Sequence, residues 1–204
     1  MGWTARQGKS LAEAPTAPDE RTELQVFLGM WKAAVTGTEY QCHTATRLAA
    51  ATLRQLGFRA TPLSVYIEVA RQNNPHVKIG VSPEISTATV EEIGPGLWYG
   101  HLVLIVSGCW LVDVSCGQFT SVRDQIQAPS VLQMAWPDKP GPRSRFQCEI
   151  HDLTLTYWPR QDDNELWRLD WHAPLDPDEE HTIAALLEAH RSELRRRSST
   201  GDWQ

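Results

Sequence analysis

Cationic residues are in short supply: 19 Lys and Arg stand against 25 Asp and Glu, for a formal net charge of -6. A nucleic-acid binder needs a cationic face to neutralise phosphates. The one local excess, Arg195-Arg196-Arg197, falls at the end of a helical pattern, where the negative end of the helix dipole favours cations. Nucleic acid is therefore excluded as a partner. Long apolar runs are missing too, so no segment matches the thickness of a bilayer, and Met1 to Glu20 holds no signal-peptide core. Met1-Gly2 opens like a myristoylation start, but Arg6 stands where that motif needs Ser or Thr. These absences predict a soluble, cytoplasmic protein with no membrane partner. Cysteine is scarce: Cys42, Cys109, Cys116 and Cys148 form no C-x-x-C pair, which argues against a disulfide framework or a structural zinc site. Cys109 and Cys148 are expected to be core thiols. The G-x-S-x-G, G-x-x-x-x-G-K-[ST] and H-E-x-x-H signatures are absent, as are internal repeats and low-complexity segments.

What is present suits one α+β domain, since 204 residues at 41% hydrophobic can bury a real core. A flexible lead-in over 1–18 and a tail over 198–204 bracket a single domain at 19–197. Leu24, Phe27, Leu28, Trp31 and Val35 recur at helical spacing from Glu20 to Val35. Ala45, Leu48, Ala49, Thr52, Leu53 and Leu56 define a second helix that Gly57 stops, with Cys42 in its first turn and Arg47, Arg54 and Gln55 on a solvated face. Alternation from Leu63 to Val69 predicts a strand with one buried face. Short strands are expected at Val77 to Val81 and Thr87 to Ile93, then at 145–151, 153–158 and 165–171. A last helix begins at Asp176-Pro177, where Asp caps and Pro takes the first helical position, and packs through Ile183, Leu186, Leu187, His190 and Leu194.

Two apolar runs flanking Ser107-Gly108 announce a β-hairpin. Its register decides whether His101 and Asp113 can meet. A two-residue loop would put them on opposite faces. A three-residue loop of Val106-Ser107-Gly108, with Gly108 left-handed, would pair 101 with 113 and bring their Cβ atoms to about 4.5–5.5 Å. The three-residue loop, or another register of the same parity, is predicted.

Cys42, His101 and Asp113 then form a constellation suited to nucleophilic catalysis. A thiol attacks as its anion, which a helix N-terminus and a neighbouring imidazolium both favour. His101 would act as base and later as acid, and Asp113 would fix its tautomer. Backbone amides at the helix start, with Gln41 as a side-chain donor, would hold an oxyanion. His43 is a poor rival base, because adjacent helical residues diverge by ~100°. His76, His151, His172, His181 and His190 show no partner spacing. Nine tryptophans are many for this length, and Trp98, just before the histidine strand, is the one placed near the cleft as a substrate contact.

Three segments resemble the transglutaminase-like cysteine enzymes, a permuted papain-like superfamily that includes arylamine N-acetyltransferases. Cys42-His43-Thr44-Ala45 through Leu56-Gly57-Phe58-Arg59-Ala60 is similar to the nucleophile helix and its turn into a strand. Tyr99-Gly100-His101-Leu102-Val103-Leu104 resembles the histidine strand, and Gly108-Cys109-Trp110-Leu111-Val112-Asp113-Val114 the strand ending in the aspartate. The resemblance covers 38–118 and implies a nucleophile helix packed on an antiparallel sheet, with Cys42, His101 and Asp113 as nucleophile, base and orienting acid. It departs from the family at Leu102, Leu104 and Val114, where an aromatic after the histidine and a Pro after the aspartate are usual. The arginine- and glycine-rich run of the acetyltransferases is absent from Thr36 to Gln41, so coenzyme A is not implied. The expectation is a thiol-dependent hydrolase or acyltransferase, without metal or cofactor, that attacks an amide, isopeptide or thioester bond of a peptide, protein or small acyl substrate. Hydrolysis is favoured over transfer. The alternatives are acetyl transfer of the arylamine N-acetyltransferase kind and a non-catalytic peptide- or protein-binding module. Oligomeric state is left open.

Overall fold

A computed structural model describes residues 19–35, 42–71, 74–80, 100–120, 126–136, 144–160 and 167–202. The order of elements is α1 (Glu20–Val35), α2 (Cys42–Gln55), β1 (Ala60–Arg71), β2 (Asn74–Ile79), β3 (His101–Val106), β4 (Trp110–Asp113), a 3-10 turn (Cys116–Phe119), β5 (Leu132–Ala135), β6 (Phe146–Ile150), β7 (Leu153–Pro159), α3 (Trp167–Trp171) and α4 (Pro177–Thr200). The fold is α+β. The seven described strands pair antiparallel, and the sheet runs β5-β4-β3-β1-β7-β6, with β2 paired to the far half of β1. It curls until its two ends nearly meet, where Trp136, just after β5, lies against Phe146 of β6 with ring centroids 4.4 Å apart.

Side-chain alternation on β3 assigns two different jobs to its two faces. Leu102, Leu104 and Val106 join Val112 and Val114 against the helices, in a core completed by Leu24, Phe27 and Trp31 of α1, Ala45, Leu48, Ala49 and Leu53 of α2, and Ile183, Leu186 and Leu187 of α4. Val103 faces the inside of the curl, with Leu111, Val65, Ile67, Val69, Leu155 and Tyr157. β1 is therefore covered on both sides, since Ser64 and Tyr66 are buried as well. This exceeds the single buried face that its alternation predicts.

The helices form where their apolar stripes require. The small side chains of Ala45 and Ala49 on α2 are fully covered, and Thr46 Oγ1 donates to Leu102 O at 3.0 Å, tying the helix to β3 one turn after Cys42. Gly57, at φ 93, ends α2 as expected, and Phe58 N–H donates to Leu53 O. Asp176 caps α4 in a capping box with Glu179, and Pro177 takes the first turn. Arg47 is not on a solvated face: its guanidinium binds Glu179 at 2.9 Å and the carbonyls of Ala173 and Pro174, tethering α2 to the start of α4. Its spacing off the apolar stripe told only that it avoids the core.

Two further expectations are corrected and one strand is added. The segment expected as a strand at 165–171 contains helix α3, because Trp167 and Trp171, four residues apart, share one helical face and pack edge to face at 5.7 Å. β5 was not anticipated at all; Leu132–Ala135 is short and pairs with β4 along its length. Cys109 is exposed in the hairpin loop and Cys148 half-buried, whereas Cys116 is the covered thiol. Thr87 to Ile93 lies outside the described residues. Among the described residues, no helix is long and apolar enough to cross a membrane.

One contact links the helical core to the chain that carries the acid. The indole of Trp31 donates to Val114 O at 3.0 Å in a buried setting, pinning the residue after Asp113. Replacing Trp31 with Phe keeps an aromatic ring but strands that carbonyl without its donor. Urea unfolding of W31F is expected to show a loss of about 1–3 kcal/mol. A loss under about 0.5 kcal/mol would mean that this bond does not anchor the strand end.

Candidate active site

The hairpin loop holds Ser107, Gly108 and Cys109, one residue further on than expected, with Ser107 at φ 52 and Gly108 at φ 74. Val106 therefore pairs with Trp110, Ile105 with Leu111 and Leu104 with Val112. Extending that register, Asp113 faces Val103, and His101 lies two residues along the same face. The expected direct opposition of 101 and 113 is corrected to a diagonal, and the parity holds. Diagonal neighbours have Cα atoms about 7–8 Å apart, a gap that an imidazole spans.

The two side chains meet inside the curl of the sheet. His101 Nε2 donates to Asp113 Oδ2 at 2.8 Å, and both side chains are 0% exposed. The carboxylate is fully engaged: Tyr157 OH donates to the same oxygen at 3.0 Å, while Oδ1 accepts from Ser115 N–H at 3.0 Å and faces Ser115 Oγ at 3.4 Å. A buried carboxylate is tolerable only when its lone pairs are satisfied in this way. Phe119 leans on the imidazole, with centroids 5.0 Å apart. Burial alone would push the ring towards neutrality; the charge and hydrogen bond of Asp113, joined by hydrogen bonding and charge from Cys42, overcome it and raise His101 to about 10.

Cys42 stands at the first residue of α2, half-buried, with its thiol 4.0 Å from the carbonyl of Gly100, the residue that precedes His101. Close packing brings these segments together. Gly80, at φ 96, lies so near β1 that a Cβ there would stand 3.1 Å from Tyr66 Cα and 3.5 Å from Gly100 Cα. The structure thus gathers Cys42, His101 and Asp113 at one end of β3. His43 turns elsewhere, its Nε2 donating to Trp167 O at 3.0 Å and its ring edge-on to Trp171. His190 is a packing residue whose Nε2 lies 3.4 Å from Glu23 O, and His151, His172 and His181 are exposed. Gln41 and Trp98 lie outside the described residues.

Three residues of the site had no sequence signal. Tyr157 is one of several strand aromatics, and only the β1–β7 pairing brings it to Asp113. Burial, then the charge of Asp113, pushes its hydroxyl well above the usual range, so it remains a donor. Cys116, 4.0 Å from that hydroxyl, is likewise pushed up by burial and by Asp113, so it stays a thiol. Gln118 places its amide 2.7 Å from His101 Nδ1, and one glutamine five residues after an aspartate advertises nothing. Among the described residues, no group of three or more His, Cys, Asp or Glu is placed to hold a metal ion. Comparison with models of known families, with curated proteins and with solved structures found no match.

The coupled ring has a pH signature. The folded His101 holds its proton more tightly than the unfolded chain, so its stabilisation is complete below about pH 6.5 and is lost as pH rises through about 10. The difference in urea stability between the wild type and H101Q is expected to shrink across that window; a constant difference would show that the ring is neutral throughout. In Y157F, loss of a donor to the carboxylate is expected to cost about 1.5–3 kcal/mol at pH 7, read by the same unfolding experiment.

Proposed function

We propose that this protein is a thiol-dependent hydrolase or acyltransferase that attacks an amide, isopeptide or thioester bond through an acyl-enzyme at Cys42. The single observation that carries the reading is the buried His101–Asp113 hydrogen bond at 2.8 Å on Nε2, which directs any proton exchange to Nδ1, on a ring whose preceding residue, Gly100, meets the thiol at the start of α2. The resemblance of 38–118 to the transglutaminase-like cysteine enzymes agrees with it, as does the packing of α2 on β3.

In the proposed reaction the Cys42 proton passes to His101 Nδ1, and the sulfur anion adds to the carbonyl carbon of the substrate. The developing oxyanion meets the free backbone N–H groups of the first turn of α2, that of Cys42 first among them. The tetrahedral adduct collapses, Nδ1–H protonates the departing amine or thiolate, and a thioester on Cys42 remains. Water or another acceptor then loses its proton to Nδ1, attacks the thioester and frees the thiol. Asp113 stays a carboxylate throughout and supports the cationic ring. Water as acceptor gives hydrolysis, the favoured outcome. No cofactor enters any step.

The exposed Cys109 is a built-in reference thiol. With iodoacetamide at pH 6, peptide mass analysis is expected to show Cys42 alkylated about tenfold or more faster than Cys109, because His101 takes the proton of Cys42 as its sulfur attacks, whereas Cys109 meets only the carbonyl of Val106 among its described contacts. H101A is expected to erase that advantage. Equal rates at Cys42 and Cys109 in the wild type would contradict the proposal.

A further inference from the structure

Asp113 occupies Nε2 of His101, so any proton exchange with Cys42 falls to Nδ1. The side-chain amide of Gln118 lies 2.7 Å from that same nitrogen. Gln118 sits on the 3-10 turn Cys116–Phe119 and is itself exposed, reaching inward to a ring that is fully buried. The turn has little freedom. Phe119 packs on the imidazole, Gln118 N–H donates to Ser115 O at 3.0 Å, and Thr120 N–H to Gly117 O at 3.0 Å. Ser115 is in turn bonded to Asp113, so one short segment grips the carboxylate with its first residue and the imidazole with its fourth.

A primary amide carries a donor and an acceptor on one planar head. Facing a bare Nδ1, its NH2 donates. Facing a protonated Nδ1, it serves equally well after a half-turn that presents Oε1, and the terminal torsion of glutamine is soft. We propose that Gln118 is a positioning residue that holds Nδ1 of His101 in both protonation states, exchanging donor for acceptor as the proton arrives and leaves. The need for two states rests on the acyl-enzyme reading above. Once Cys42 is a thioester its sulfur no longer has a proton to give or a charge to offer, and Gln118 is then the remaining polar partner of Nδ1 among the described residues. A carboxylate at this position can only accept, and an apolar side chain can do neither.

Among the described residues, the charged and titratable groups around the ring are Asp113 from β4 and Cys42 from α2, with Tyr157 of β7 and Cys116 bonded behind the carboxylate. Gln118 approaches the ring at Nδ1, and no described hydrogen bond joins it to Asp113, so substitution there alters Nδ1 without rebuilding the pair at Nε2.

The test uses the full chain carrying C42A, which removes the competing thiol and makes the outcome independent of whether Cys42 is a nucleophile. Imidazole 15N and 1H spectra of His101 are followed across pH in C42A, C42A/Q118A and C42A/Q118E. In C42A/Q118A the Nδ1 signals of both the neutral and the cationic ring are expected to move, while Nε2 stays in place. In C42A/Q118E the midpoint is expected to rise by about 1 pH unit, because a carboxylate favours only the cation. Unchanged Nδ1 signals and midpoint in both variants would overturn the proposal. A change confined to one protonation state in C42A/Q118A would also overturn it, since Gln118 would then be a fixed donor or acceptor.

Discussion

A carboxylate and an imidazole hydrogen-bonded to each other in the interior are the constraint around which this molecule is arranged. Sequestering such a pair is expensive unless every lone pair and proton finds a partner. Four elements supply them. The diagonal of the β3–β4 hairpin joins ring and acid, the β1–β7 pairing delivers the Tyr157 hydroxyl, the chain after β4 folds Ser115 back onto the carboxylate, and the 3-10 turn sets the Gln118 amide against Nδ1. From the other side of the sheet, Trp31 fixes the chain just past the acid, and Thr46 fixes the helix that carries Cys42. Helical core and curled sheet are thus two separate apolar regions that meet at one polar seam.

That seam treats two nearby thiols in opposite ways. Cys116 is enclosed, bonded to Tyr157 and exposed to the field of Asp113 with no cation between, so it holds its proton. Cys42 meets the imidazole instead, and opens a helix of 14 residues whose first amides have no partner within the helix. The two sulfurs thus meet opposite ends of the pair, Cys42 the imidazole and Cys116 the side of the carboxylate. In the proposed reaction, Asp113 keeps Nε2 occupied so that the mobile proton has one destination.

Patterns that depend on local spacing were legible in the sequence. The apolar stripes of α1, α2 and α4, the Asp176-Pro177 start, the Gly57 stop and strands β6 and β7 follow from periodicity and cap chemistry, which act over a few residues. So did the parity of the hairpin, because one residue of slip would have sent His101 and Asp113 to opposite faces. The finer register was not legible: Ser107, a non-glycine residue, adopts a positive φ beside Gly108 and displaces the loop by one residue. Trp167 and Trp171 fit a strand as readily as a helix until their i, i+4 contact is known. Arg47, Tyr157 and Gln118 acquire their roles from partners 132, 44 and 17 residues away, and no window of sequence reports such distances.

In the proposed function a substrate's acyl group is carried on Cys42 at the expense of a proton taken by His101. The most direct measurement is to mix the wild-type chain with p-nitrophenyl acetate, quench in acid and locate the added acetyl group by peptide mass. Acetyl is expected on Cys42 in the wild type and is expected to be absent in H101A, where the thiol lacks a base. Acetyl found only on lysines or on Cys109, with Cys42 unmodified in the wild type, would contradict it.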